Sequence, residues 1–87
     1  MSKHTPGPWN LYDDTASTGR IEIVALGKTV ARIYRSVPEE DLPNARLIAA
    51  APEMLYALKS LKRILTVDSP EWNAADAAIA KATGEQA

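Results

Sequence analysis

Residues 44–65 read NARLIAAAPEMLYALKSLKRIL and form the longest apolar-periodic segment of the chain. Leu47, Ala51, Met54, Leu58, Leu61 and Leu65 are spaced 4, 3, 4, 3, 4, the seam spacing of a core-facing helix. Ile48, Leu55 and Ile64 widen that stripe, while Lys59, Lys62 and Arg63 fall mainly off it. Pro52 interrupts the pattern. Inside a helix it removes one backbone hydrogen bond and costs roughly 3 kcal/mol, and it disfavours helical geometry at Ala51. At the first position of a new helix it costs little. The segment predicts two helices, about residues 43–50 and 52–67, with a sharp bend between them; the alternative is a single kinked helix. The stripe is expected to form the core of a monomer. A seam shared with a second copy is the other reading, because small domains often need that help.

Upstream, residues 36–43 (SVPEEDLP) connect sheet to helices, and Glu39, Glu40 and Asp41 suit the positive end of a helix. Residues 20–26 (RIEIVAL) are a strand by β-branched content. Gly27-Lys28 has glycine first, as a two-residue type II′ turn prefers, and residues 29–35 return as the next strand. With that turn Leu26 faces Thr29, and Ile21, Ile23, Ala25, Val30, Arg32 and Tyr34 share one face. Val24, Leu26, Ala31 and Ile33 share the other. Neither face is cleanly polar, so either both faces are partly covered or the turn is longer and the register differs. Residues 1–8 form an extended arm whose Pro6-Gly7-Pro8 delivers Trp9 to a short first strand, Trp9 to Tyr12. Residues 13–19 (DDTASTG) read as a loop.

Downstream, Ser69 is a natural helix cap and Pro70 suits a first helical turn. Trp72, Ala75, Ile79 and Ala82 form a helical stripe, Gly84 is the stop, and the tail 85–87 is expected to fray. The fold class is therefore α+β: a three-stranded antiparallel β-meander followed by two or three packed α-helices. A single domain is expected over residues 1–87, with the arm at 1–8, the meander at 9–35 and helices at 43–84.

Composition narrows the chemistry. The chain has 87 residues and no cysteine, which excludes disulfides and thiolate metal sites. His4 is the only histidine, too little for a zinc site or a hydrolytic triad. Lys+Arg total 10 against Asp+Glu 11, a balance that argues against general DNA or RNA binding and leaves only a local basic patch. No apolar run approaches the ~18 residues of a membrane span, and MSKHTPGPW lacks a signal peptide's apolar segment, so the cytoplasm is the expected location. No Gly-rich phosphate loop occurs. Asp13-Asp14 and Glu39-Glu40-Asp41 read as solvated loop and helix-start charge. An enzyme is disfavoured and no cofactor is expected.

Five residues stand out as candidate ligand contacts. Trp9 is either a core plug anchoring the arm or an aromatic platform for a base or a partner side chain. Arg46 either pairs with Asp41, Glu39 or Glu53, or clamps a phosphate or carboxylate. Asn44 caps a short helix or presents its amide to a ligand. Arg35, with Arg32 and Arg20 nearby, could make a small basic patch or simply be solvated. Tyr34, like Tyr56, reads as a core-edge residue, with base stacking as Tyr34's functional role.

His4-Thr5-Pro6-Gly7-Pro8-Trp9 and residues 44–55, NARLIAAAPEML, together resemble a family of small phage and prophage proteins. Its members start with words like HTPGPW, continue through a hairpin-like region to a segment like NARLIAAAPELLEAL, and often end like AAIAKATGE, matched here by residues 77–85. Met54 stands where leucine is usual and Tyr56 where a charged residue is common. The resemblance implies an accessory protein made in an infected or lysogenic bacterium, without bringing an established activity. Such proteins commonly counter host defence. In one form the protein is a homo-oligomer that buries a cyclic or linear nucleotide signal, with Arg46 and a strand arginine on phosphates and Trp9 or Tyr34 on the base. In another it caps a host defence or regulatory protein. A structural or morphogenesis factor is the third reading.

Overall fold

A computed structural model describes residues 4–65 and 68–84. The expectations for the end of the second helix at Val67 and for the tail 85–87 fall outside them. The elements run β1 (Asn10–Asp14), β2 (Arg20–Ala25), β3 (Lys28–Tyr34), α1 (Pro38–Ala49), α2 (Ala51–Ile64) and α3 (Pro70–Thr83). The fold is α+β, a three-stranded antiparallel sheet in the order β1-β2-β3 followed by three helices. Two compact units divide the chain. Residues 5–52 hold the sheet and α1; the other unit takes in residues 53–87 together with residues 1–4.

In the sheet unit the register settles which face is apolar. Ala25 pairs with Lys28, so the turn is Leu26-Gly27, one residue earlier than expected. Both residues have positive φ, 53° and 75°, the signature of a type I′ turn, whose twist matches that of the flanking strands. A bulge follows: Val24 faces Thr29 and Ile23 faces Ala31, leaving Val30 as the extra residue. The turn shift alone keeps the expected faces, but the bulge reverses them and places Leu11, Ile21, Ile23, Ala31 and Ile33 on one face. The opposite face takes Tyr12, Glu22, Arg32, Arg20 and Tyr34. The expected grouping of Arg32 and Tyr34 with the isoleucines is thereby corrected, whereas Val30, the bulge residue, does pack against the isoleucine cluster. β1 also begins one residue later than expected and absorbs Asp13 and Asp14, which pair with Ile21 and Arg20.

α1 covers the apolar face. Ile21, Ile23 and Ala45 are buried together, with Trp9, Leu11, Ala31, Ile33, Leu42 and Ile48 packed around them. The helix starts at Pro38, five residues before the expected start, and runs through Pro43. Pro38 supplies a preset φ at the first turn, where its missing N–H has no partner to lose. Val37, the capping residue, offers no side-chain acceptor. Asp41 replaces it by reaching back to the Ser36 and Val37 backbone N–H groups at 3.0 and 3.3 Å. These gains outweigh the one backbone bond that Pro43 forfeits from an exposed position.

Two helices, not one kinked rod, follow from the break at Ala50. The expected core is corrected as well. Of the seam, Leu47 lies before the break in α1 and Ala51, Met54, Leu58 and Leu61 lie after it in α2, which has no buried residue. Leu47, Met54, Leu61 and Leu65 are all exposed, and Tyr56 is exposed rather than at a core edge.

In the helical unit, α3 is capped as expected. Ser69 Oγ accepts the Trp72 N–H at 3.1 Å, and Gly84 ends the helix in the left-handed conformation. The Trp72 indole N–H donates to the Leu65 carbonyl at 2.7 Å. Neither α2 nor α3 contains a buried residue.

Candidate functional site

The five candidate ligand contacts all lie in the sheet unit, and they do not converge there within one copy. Trp9 packs against the Ile21–Ile23–Ala45 cluster, and its indole N–H donates to the Thr5 carbonyl at 2.9 Å. That geometry anchors the arm. Tyr34 is exposed on the sheet face turned away from α1. Asn44 and Arg46 are both exposed on α1, but residues two apart on a helix point to different flanks. Among the described residues Arg46 forms no ion pair with Asp41 or Glu39.

Arg35 sits where the end of β3 meets the start of α1. It lines a cavity of about 160 Å³ with Asp13, Thr15, Pro38 and Asp41. Asp13 is held below the usual carboxylate range chiefly by the Thr15 hydroxyl at 2.7 Å, with help from the Thr15 backbone N–H and, last, the charge of Arg35. Asp41 is lowered first by the Ser36 backbone N–H; burial opposes this, and Val37, the Ser36 hydroxyl and Arg35 add to it. Arg35 thus faces two ionised carboxylates. Across the cavity its charge acts on both, although no ion pair within 4.0 Å joins it to either among the described residues.

On the exposed sheet face the strand pairing makes two rows, Tyr12–Glu22–Arg32 and Asp14–Arg20–Tyr34. Glu22 serves both arginines, at 3.3 Å from Arg32 Nε and 3.7 Å from Arg20 Nε. Thr29 Oγ1 also donates to Glu22, at 3.2 Å. With Asp14 beside Arg20, this surface is charge-balanced and aromatic rather than basic.

The basic site lies in the helical unit, on residues that fall off the apolar stripe of α2. Lys59, Lys62 and Arg63 are spaced i, i+3, i+4, which sets them along the side of α2 away from its exposed apolar stripe. With Trp72 and Ile79 of α3 they line an open groove of about 200 Å³. Lys62 Nζ lies 4.6 Å from the Trp72 ring centroid and pairs with Asp76. Cation–π contact and ion pair together fix one cation in place, with Lys59 and Arg63 beside it. The groove therefore holds a surplus of positive charge in a chain whose net charge is -1. Three cations within five residues was the available signal; the missing information was that Trp72, seven residues beyond Leu65, folds back onto them.

Among the described residues no group of three or more His, Cys, Asp or Glu is arranged to hold a metal ion, and no described helix is long and apolar enough to cross a membrane. Neither a curated protein nor a solved structure matches the chain. A family model does, over residues 1–86. The expected phage or prophage protein family accordingly stands: the chain belongs to the family described as Salmonella phage P22 protein Y8K6.

Proposed function

We propose that this phage protein is a non-catalytic binding protein that counters host defence by sequestering a nucleotide-type signal, with the α2–α3 groove as its anion site. One observation carries the reading: Lys59, Lys62 and Arg63 line a single groove beside Trp72, with one carboxylate, Asp76, among them. Phosphate oxygens are met by Lys59 and Arg63, the latter able to bind bidentately. Trp72 supplies apolar and π surface for a base, a contact that tolerates different bases. The groove holds a phosphate with part of a base, so a larger nucleotide extends beyond it.

Native mass spectrometry and calorimetry with a panel of cyclic and linear nucleotides, against inorganic phosphate, test this. Binding should drop about tenfold or more in Lys59→Ala and Arg63→Ala. Trp72→Leu should weaken nucleotides more than phosphate. Absence of any nucleotide adduct on the wild-type chain would end the proposal.

A second reading, capture of a host defence protein, draws on the exposed sheet face. Tyr12, Tyr34, Arg20 and Arg32 share it, and aromatic residues and arginine dominate interface hot spots. A pull-down from host lysate, repeated with Tyr34→Ala, separates the two: a host protein retained by wild type and lost in the variant supports capture.

A further inference from the structure

We infer that the outer shoulder of α2 is a docking surface for a second copy of this chain, paired antiparallel. The apolar arc of α2 is wider than α3 covers. Leu55, Leu58 and Lys62 are half-buried, and Lys62 is tied to Asp76 and Trp72. On the other shoulder Met54 is 50% exposed, Leu61 55%, Ile64 74% and Leu65 50%, with Ala57 exposed among them. Helices this short cannot bury such a stripe between themselves, and no residue of either is buried.

The pattern selects the occupant. Met54, Ala57, Leu61 and Ile64 are spaced 3, 4, 3, the repeat by which two like helices mesh knobs into holes. An antiparallel crossing centred near Lys59 sets Met54 against Ile64 and Ala57 against Leu61 of the second copy. Small then meets large twice, by symmetry. The α2 cations lie away from the shoulder, along the groove, so none is buried. The same crossing brings Glu53, at the start of α2, toward the basic end of the second helix, where Arg63 is the cation not already paired with Asp76; a parallel pair would bring the two basic ends together. The exposed shoulder offers on the order of 450 Å² per copy, so the contact removes about 900 Å², near the floor for a specific interface. The dimer is therefore reversible and concentration-dependent.

This deepens the sequestration reading without depending on it. A monomer that binds nucleotide would discard the dimer alone, and a dimer without nucleotide would discard only the ligand. Sedimentation equilibrium of the full chain between about 1 and about 100 µM should show monomer–dimer exchange. Ile64→Lys and, separately, Leu61→Glu should each raise the dissociation constant about tenfold or more with unchanged helical circular dichroism. A monomer throughout that range overturns the proposal, and so does a dimer indifferent to a folded Ile64→Lys chain. Orientation is read from the cysteine-free background: mixing Glu53→Cys and Arg63→Cys chains with a short bismaleimide should favour the mixed cross-link. Predominant like-with-like cross-links would overturn the antiparallel assignment.

Discussion

Asp41 accepts the backbone N–H of Ser36 at 3.0 Å and its hydroxyl at 3.2 Å, so the first turn of α1 is closed by a residue inside the helix rather than by its cap. The arrangement inverts the usual roles of a capping box. It also ties α1 to the segment just after β3, because both donors of Ser36 end on the same carboxylate.

Acid should therefore loosen the sheet unit. The folded-state pKa of Asp41 lies below its ordinary value, and that of Asp13 does too. A lowered pKa contributes stability that is present above the unfolded value, about 3.9, and is lost as pH falls through the folded one. Denaturant midpoints should be flat from neutral pH to about 5 and fall below about 4. Asp41→Asn keeps the size but puts an amide where donors point. It should lower the midpoint at pH 7 and flatten the acid limb; an unchanged acid limb would remove Asp41 as its source.

The hairpin turn carries avoidable strain. Leu26 has φ 53° and is 73% exposed, so it sits in left-handed geometry with little burial in return. Leu26→Asn makes the Asn-Gly pair that type I′ turns prefer and should stabilise the sheet unit by about 1 kcal/mol. Gly27→Ala should cost about 1 kcal/mol, purely from its φ of 75°, since a Cβ there meets nothing within 4 Å. Thermal midpoints moving in opposite directions are the expected result.

This turn also marks where the sequence was legible and where it was not. Strand content, Ser69 as cap and Gly84 as stop follow from local rules, and the structure keeps them. The face of the sheet did not follow, because the bulge at Val30 reverses which of Ala31 and Arg32 joins the isoleucines, whereas the one-residue shift of the turn alone leaves the faces unchanged. The start of α1 was hidden by Pro43, whose local preference lost to a side-chain contact between Asp41 and Ser36. The arginines were legible as arginines but not as sites. Arg35 faces two carboxylates and Arg20 shares Glu22 with Arg32, while the unbalanced cations stand beside a tryptophan that folds back from the next helix.

Ser69 tests the helical unit independently. Its hydroxyl holds the Trp72 N–H at 3.1 Å, and Trp72 in turn forms a wall of the groove. Ser69→Ala should destabilise α3 by about 1 kcal/mol. Amide exchange should quicken in the first turn of α3, with β2 unaffected. Equal quickening in both would show that the two units unfold together.

Asp76 separates charge from structure in the groove. Its pair with Lys62 is partly exposed, and such pairs contribute about 0–1 kcal/mol, so Asp76→Asn should leave the melting temperature nearly unchanged. The substitution removes the carboxylate paired with Lys62 beside Lys59 and Arg63, raising the local charge by one. Phosphate and nucleotide binding should tighten several-fold at low salt, and the gain should shrink as ionic strength shortens the Debye length to about 8 Å at 0.15 M. Weaker binding in Asp76→Asn would mean that the carboxylate's larger contribution is to hold Lys62 against Trp72. Binding that ignores Asp76 altogether would place the anion elsewhere on the chain.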